Sequence, residues 1–178
     1  EKGLTNTLVP PLDSYVVDDG FVDWDASFWA FNKKFPNELY PASTLARKFS
    51  SEFGLWNGPR GGYNDKTGKF GKNMEKAGKG GYNKAANDVC VSSFEYIKNV
   101  TDYYLDYTKK FDINYWKLDG FLLTACPSKK HGHMVGGHNG MYQYTEMWEN
   151  WINIFRKLRL SRETIGKDMW INQTSYCN

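Results

Sequence analysis

The sequence predicts an α/β fold built around a parallel β-sheet, and three observations lead to this prediction. Four short segments are almost continuously apolar rather than alternating, which is typical of strands in a parallel sheet. Between them lie segments in which apolar residues recur with a helical period. Long glycine-rich connections follow two of the strands. This alternation along 178 residues favours a single α/β domain over residues 1–178.

The four predicted strands are short, bounded by turn-forming residues, and rich in aromatic and branched side chains. They comprise residues Ser14–Asp18, Phe53–Asn57, Ile113–Leu118 and Asp168–Gln173. Because apolar strands of this length are separated by helical segments, we expect them to be parallel neighbours in one sheet.

Helical periodicity is strongest in two of the intervening segments. Ser92 lies three residues before Glu95, a capping-box pattern, and an apolar face continues to Phe111. From 144 to 158, apolar residues recur at spacings of three and four, which predicts an amphipathic helix. A shorter helix is predicted over 41–51.

Composition excludes several classes of protein. The three cysteines, Cys90, Cys126 and Cys177, form no Cys-x-x-Cys pair, which argues against a zinc site or a disulfide scaffold, although one disulfide with a free thiol stays open. No apolar run approaches the roughly 20 residues that span a bilayer. Aromatic residues make up 17% of the chain, and such rings stack well on sugars. Trp24, Trp29 and Trp56, near strand ends, are the candidates for stacking.

Two long connections follow the carboxyl ends of strands, where active sites of barrels and open α/β sheets are built. The first, Gly58–Asn87, contains seven Lys or Arg residues against two acidic ones. It lacks the order of glycines and lysine that marks a phosphate-binding loop, so we interpret it as a solvated basic loop.

The second connection, Thr124–Met141, contains all three histidines of the chain. His131, His133 and His138 suggest a metal, but no carboxylate lies near them in the sequence to orient their rings. We therefore predict a flexible loop here, with no metal and no organic cofactor.

Charged residues cluster at the ends of two predicted strands. The first strand ends in Asp18 and Asp19, followed by a glycine, and the third carries Lys117 and Asp119. Residues two apart on a strand point to the same side, so Lys117 is expected to lie beside Asp119 and to favour its ionised form. A fixed, ionised carboxylate at a barrel mouth is suited to attack an anomeric carbon.

Simpler interpretations of these residues stay open. Asp18, Asp19 and the glycine also fit a turn with a helix cap. Lys117 and Asp119 also fit a surface ion pair.

The ordered set of motifs resembles glycoside hydrolase families 27 and 36, the α-galactosidase and α-N-acetylgalactosaminidase group. Tyr15–Phe21 (YVVDDGF) is similar to the second barrel strand of the group, and Lys34–Pro36 to the segment after it. Phe53–Trp56 (FGLW) is similar to the third strand, and Tyr115–Gly120 (YWKLDG) to the fourth. The resemblance covers residues 13 to 121.

The resemblance implies roles for individual residues. It makes Asp119 the nucleophile and gives Lys117 a contact with the sugar. Asp18 and Asp19 would bind the 4- and 6-hydroxyls, and Trp56 would line the sugar subsite. Asn172, on the fifth strand, would reach the 2-substituent.

The resemblance also implies the architecture and the reaction. The chain would be part of a (β/α)₈ TIM barrel, about strands two to five with their helices, in which the general acid/base carboxylate is missing. The expected reaction is retaining hydrolysis of terminal α-linked galactose or N-acetylgalactosamine from an oligosaccharide or glycoconjugate, with no nucleic-acid partner. The alternatives are an α-galactosyl transferase of the raffinose-synthase kind and a non-catalytic carbohydrate- or phosphate-binding module that uses the basic 60–84 segment.

Overall fold

The protein has a mixed α/β structure, seen in a computed structural model that describes residues 10–62, 66–122 and 124–176. Its elements in chain order are β1 (Ser14–Val17), α1 (Tyr40–Lys48), β2 (Glu52–Asn57), α2 (Lys66–Lys76), β3 (Gly81–Asn83), β4 (Asp88–Cys90), α3 (Phe94–Phe111), β5 (Ile113–Leu122), α4 (Met141–Glu163) and β6 (Trp170–Tyr176). The main sheet has four strands in the order β1-β2-β5-β6, and all neighbours are parallel. The predicted parallel α/β fold is confirmed at this level.

All four predicted strands are present. β5 is longer than predicted, because it continues through Asp119 to Leu122. β6 starts two residues later than predicted and ends at Tyr176. The pairing of β5 with β6 shifts register between Leu118 and Phe121, which places an irregularity at Asp119.

The predicted helices form with small changes at their ends. The first residue before α3 is Ser93 rather than Ser92, and the Ser93 hydroxyl accepts a hydrogen bond from the Tyr96 N–H at 3.3 Å. Ser92 instead accepts a hydrogen bond from Gln143 Nε2 at 3.0 Å. Within the described ranges, no helix is long and apolar enough to cross a membrane.

The segment after β2 was predicted as a loop, and this prediction was wrong. Residues 66–76 form α2, and β3 and β4 form an antiparallel hairpin that packs against it. Phe70 and Met74 of α2 are fully buried. The basic residues of this segment therefore decorate a packed helix and hairpin.

The two faces of the main sheet have different surroundings. One face packs against α3: the indole N–H of Trp116 donates to Thr108 Oγ1 at 2.9 Å, and the Tyr104 hydroxyl donates to Asn57 Oδ1 at 2.6 Å. In the described residues, the opposite face is open around β5 and β6 and covered at Trp56 of β2. It presents Lys117, which is half-buried, and Trp170, whose exposed fraction is 62%.

Candidate active site

Asp119 is held at the carboxyl end of β5 by two N–H donors. The backbone N–H of Gly120 donates to Asp119 Oδ1 at 2.7 Å, and the indole N–H of Trp56 donates to Oδ2 at 3.4 Å. Each donor approaches a different oxygen, so the carboxylate plane is fixed. Gly120 has a φ of 71°, a left-handed conformation that glycine adopts without strain. This turn coincides with the register shift in β5, and such bulges re-aim side chains next to active sites.

The Lys117 ammonium group is hydrogen-bonded to a carboxylate that the sequence did not indicate. Its Nζ lies 2.6 Å from Asp18 Oδ2, at the end of β1, although the two residues are 99 positions apart. The hydrogen bond to Asp18 raises the pKa of Lys117, and the negative charge of Asp119 adds to this effect. Lys117 is therefore hydrogen-bonded to Asp18 and interacts electrostatically with Asp119.

Asp18 stays ionised at neutral pH. Desolvation acts to raise the pKa of Asp18, but the hydrogen bonds from Lys117 and from the Asp19 N–H outweigh it and lower the pKa below its usual value. The Asp18 side chain is more than half exposed, so one face of the carboxylate is accessible. Both properties suit an acceptor for a ligand hydroxyl.

Asp19 is exposed and lies in a tight turn after β1, but the helix-cap part of the simpler interpretation is not met, because the next helix, α1, begins only at Tyr40. Its Oδ1 accepts the backbone N–H of Gly20 at 2.6 Å, and Gly20 has a φ of 122°. The Asn32 side chain donates to the Gly20 carbonyl at 2.8 Å. The turn is thus fixed in place at the end of β1, beside the Lys117–Asp18 pair.

Asn172 lies level with Lys117 in the sheet. Lys117 pairs in register with Trp56 of β2 on one side and with Asn172 of β6 on the other. Residues paired in this way point to the same face, so the exposed Asn172 side chain extends the open face of the sheet. One face of the sheet, near the carboxyl ends of the strands, thus carries Trp56, Lys117, Asp119 and Asn172.

The stacking prediction for the tryptophans needs correction. Trp56 is fully buried, with 0% exposed, because the ring of Trp24 packs edge-on against it. Trp29 is also buried, and its ring stacks on Tyr103. Neither ring offers a free face to a sugar; Trp56 instead donates its indole N–H to Asp119. Trp24 is half-buried at the rim.

The basic segment is partly engaged in internal contacts. Arg60 forms an ion pair with the buried Asp88 through both Nε and Nη2. Lys69 pairs with Asp25. Lys72 lies over the ring of Tyr82 at 5.1 Å from its centroid. These contacts engage Arg60, Lys69 and Lys72, whereas Lys66, Lys76 and Lys84 are exposed.

A second cluster of reactive side chains escaped the sequence analysis. One ligand-type atom from each of Cys90, Cys126, His131 and His133 lies within 4.8 Å of the others. Glu75 of α2 lies 3.2 Å from His131 Nε2, so the carboxylate that seemed to be missing comes from 56 residues upstream. The sequence-based argument considered only neighbours in the sequence and therefore did not find Glu75. Cys177 lies outside the described residues.

The four side chains interact strongly with one another. The hydrogen bond with Cys90 lowers the pKa of Cys126, although burial acts to raise it. Hydrogen bonds with His131 and His133 lower the pKa further. The same contact with Cys126, together with burial, raises the pKa of Cys90. In the sequence, this cluster is indicated only by local spacing. Cys126 lies five residues before His131, and His133 follows two residues later.

No protein-family model matches the chain, and no curated protein is significantly similar to it.

Proposed function

We propose that this chain supplies the nucleophile and part of the sugar-binding site of a retaining glycoside hydrolase that acts on terminal α-linked galactose or N-acetylgalactosamine. The observation that carries the proposal is the orientation of Asp119. Two N–H donors fix its carboxylate at a bulge on the carboxyl end of a parallel strand, on the open face of the sheet. Active sites of α/β barrels lie at this end of the strands.

Asp119 attacks the anomeric carbon in the first step of a double displacement. A carboxylate oxygen forms a bond to this carbon while the glycosidic oxygen leaves with a proton from a general acid. Water then releases the sugar by the reverse route, with net retention of configuration. The indole N–H of Trp56 and the amide of Gly120 hold the attacking group at a fixed angle. Fixed geometry of this kind lowers the entropic cost of reaction.

Asp18 and Asp19 bind the sugar hydroxyls. Ionised carboxylates accept hydrogen bonds from hydroxyl donors, and both side chains are exposed beside Lys117. In this proposal they contact the 4- and 6-hydroxyls and thereby select the galacto configuration. Lys117 keeps Asp18 ionised and adds a positive charge next to Asp119. Asn172, which pairs in register with Lys117, contacts the 2-substituent in this proposal.

No carboxylate among the described residues is proposed as the general acid/base. Such a group needs a pKa near neutrality, which burial or a neighbouring negative charge provides. In the described ranges, the carboxyl groups with clear shifts, those of Asp18, Asp25 and Asp112, all have lowered pKa values, because lysine or arginine donors dominate even where desolvation opposes them. The open face of the sheet is the side on which the remaining barrel strands would close.

Replacement of Asp119 tests the proposal directly. In the full-length protein, Asp119→Asn should lower the turnover of nitrophenyl α-galactoside or α-N-acetylgalactosaminide by roughly 10⁴-fold or more, since a nucleophile is removed with little change in shape. Asp106→Asn, an exposed carboxylate on α3, is the matched control and should retain full activity.

A rescue experiment distinguishes a nucleophile from a residue needed only for folding. With Asp119→Gly, added azide should restore nitrophenol release and give a glycosyl azide of inverted, β configuration, because the small anion enters from the face that the carboxylate occupied. Product analysis with a sugar acceptor present separates hydrolysis from transfer. Undiminished activity of Asp119→Asn would refute the assignment.

A further inference from the structure

We propose that Cys90, Cys126, His131 and His133 bind one structural Zn²⁺ ion, oriented by Glu75. The four ligand atoms lie within 4.8 Å of one another, and Cys126 Sγ lies 3.3 Å from His131 Nδ1. Tetrahedral zinc with ordinary Zn–S and Zn–N bond lengths holds its ligand atoms about 3.3 to 3.8 Å apart. A small contraction of the cluster therefore completes the coordination geometry.

In each of the two histidines, one ring nitrogen is hydrogen-bonded away from the cluster, so the other nitrogen is directed toward it and can bind a metal. His131 directs Nε2 to Glu75 Oε1 at 3.2 Å, so Nδ1 faces the cluster. His133 directs Nδ1 to the carbonyl of Met134 at 2.8 Å, so Nε2 faces inward. Metal-binding histidines usually donate their second N–H to a carboxylate or a backbone carbonyl. Both arrangements occur here, one on each ring.

His133 supplies an independent observation. Its buried Nε2 atom interacts with the Cys126 thiol but makes no hydrogen bond of normal geometry to any described residue, and buried polar atoms of this kind are rare. A disulfide between Cys90 and Cys126 would use the two sulfurs and leave this nitrogen unsatisfied. A metal ion satisfies all four side chains together.

The surrounding structure is shaped around the cluster. Gly81 pairs with Cys90 across the hairpin, and a Cβ at Gly81 would lie 2.9 Å from the His131 ring. Gln143, which is buried, accepts the backbone N–H of Cys126 at 2.7 Å. Asn83 donates to the Ala125 carbonyl at 3.1 Å. These contacts hold the ligand-bearing segments independently of the ligand side chains.

The chemistry of the cluster favours zinc, in a structural role. Thiolate and imidazole ligands select zinc over calcium and magnesium, which prefer oxygen. Four protein ligands close the coordination sphere, as in structural rather than catalytic sites. Cys90, Cys126 and His133 are almost fully buried. The ion joins the hairpin β3–β4 to the connection that follows β5 and so fixes a loop on the carboxyl side of the sheet.

Metal analysis of the full-length protein, purified under reducing conditions, tests the site. Wild type should contain one more equivalent of zinc than Cys126→Ser or His133→Gln. His138→Gln, an exposed histidine in the same connection, is the matched control and should retain the wild-type content. Glu75→Gln should weaken zinc binding by about tenfold in competition with a chelator, whereas the exposed Glu95→Gln should not.

Cobalt substitution keeps the proposal testable if the variants fold poorly. Wild-type protein reconstituted with Co²⁺ should show intense visible bands of tetrahedral cobalt and thiolate-to-cobalt charge transfer, and Zn²⁺ should abolish both. Absence of these bands would overturn the site. The site would also be overturned if thiol titration of freshly purified wild-type protein found Cys90 and Cys126 joined in a disulfide. Neither readout depends on glycosidase activity.

Discussion

The orientation of single side chains decides what the candidate active site can do. The sequence placed Lys117 beside Asp119 because the two residues are separated by one position on a strand. It did not indicate that the Lys117 ammonium group binds Asp18, because that contact depends on the pairing of β1, β2 and β5 across 99 residues. Nor did it indicate the hydrogen bond from Trp56 to Asp119, since a tryptophan near a strand end suggests sugar stacking equally well.

Trp56→Phe tests the role of the indole N–H. Phenylalanine keeps a buried ring but removes the donor to Asp119, so kcat should fall by up to about tenfold, which corresponds to about 1.4 kcal/mol of transition-state stabilisation. The measurement is kcat for a nitrophenyl α-glycoside with the full-length protein.

Trp116→Phe is the control for that change. Trp116 is equally buried, but its indole N–H donates to Thr108 on the helix-covered side of the sheet. Both variants should lose a similar amount of thermal stability, and only Trp56→Phe should lose kcat. Equal kcat values in the two variants would contradict the proposed contact with the nucleophile.

At the scale of elements, the sequence predicted the strands of the main sheet and missed α2. Glycines at 68 and 71 resemble loop signals, but they lie where the hairpin backbone approaches the helix. A Cβ at Gly68 would lie 2.3 Å from the Asn87 side chain, and one at Gly71 would lie 3.0 Å from the Asp88 carbonyl oxygen. Glycine is therefore needed here because the helix and the hairpin pack closely. A local sequence pattern cannot distinguish such a glycine from one in a turn.

Arg162 joins three elements at the amino-terminal end of the sheet. It is 2% exposed, forms an ion pair with Asp112 at the start of β5, and lies 3.4 Å from Glu52 of β2. Its Nε donates to the Asp168 carbonyl at 3.1 Å. A buried guanidinium group of this kind is costly to leave unpaired. The cluster lies opposite the candidate active site and stabilises the fold.

Asp112→Asn should destabilise the protein by about 2 kcal/mol at pH 7, because hydrogen bonds to charged groups are lost. Asparagine tolerates the left-handed backbone at this position, where φ is 56°. The free energy of unfolding, from urea titration of both proteins, measures the difference. Asp106→Asn on the exposed side of α3 should change it little.

The same pair of proteins should show a pH dependence. Desolvation acts to raise the pKa of Asp112, but the hydrogen bonds from Lys167 and Arg162 outweigh it and lower the pKa. A lowered folded pKa contributes stability above the unfolded value of about 3.9. That contribution is lost as the pH falls through the lower, folded value. The difference between wild type and Asp112→Asn should therefore shrink below about pH 4; a constant difference would contradict the ion pair.

At the scale of the whole molecule, the open part of the sheet face around Lys117 bears on the proposed architecture. Parallel sheets are usually covered on both faces. In the described residues, helices cover only one face. The open one carries Lys117 and Asn172 near the carboxyl ends and, one layer below, Tyr115 paired with Trp170. A barrel closed by further strands would enclose that face, consistent with the proposed (β/α)₈ architecture.

Hydroxyl-radical footprinting of the full-length protein tests this closure. Trp170 is 62% exposed in the present structure, and Phe94, at the start of α3, is 65% exposed on the outer surface. If further strands close a barrel over the open face, Trp170 becomes interior and its oxidation rate, divided by the intrinsic rate of tryptophan, falls well below the corresponding value for Phe94. Similar normalised rates would mean that the face stays open, and the barrel proposal would then fail whatever the activity of Asp119.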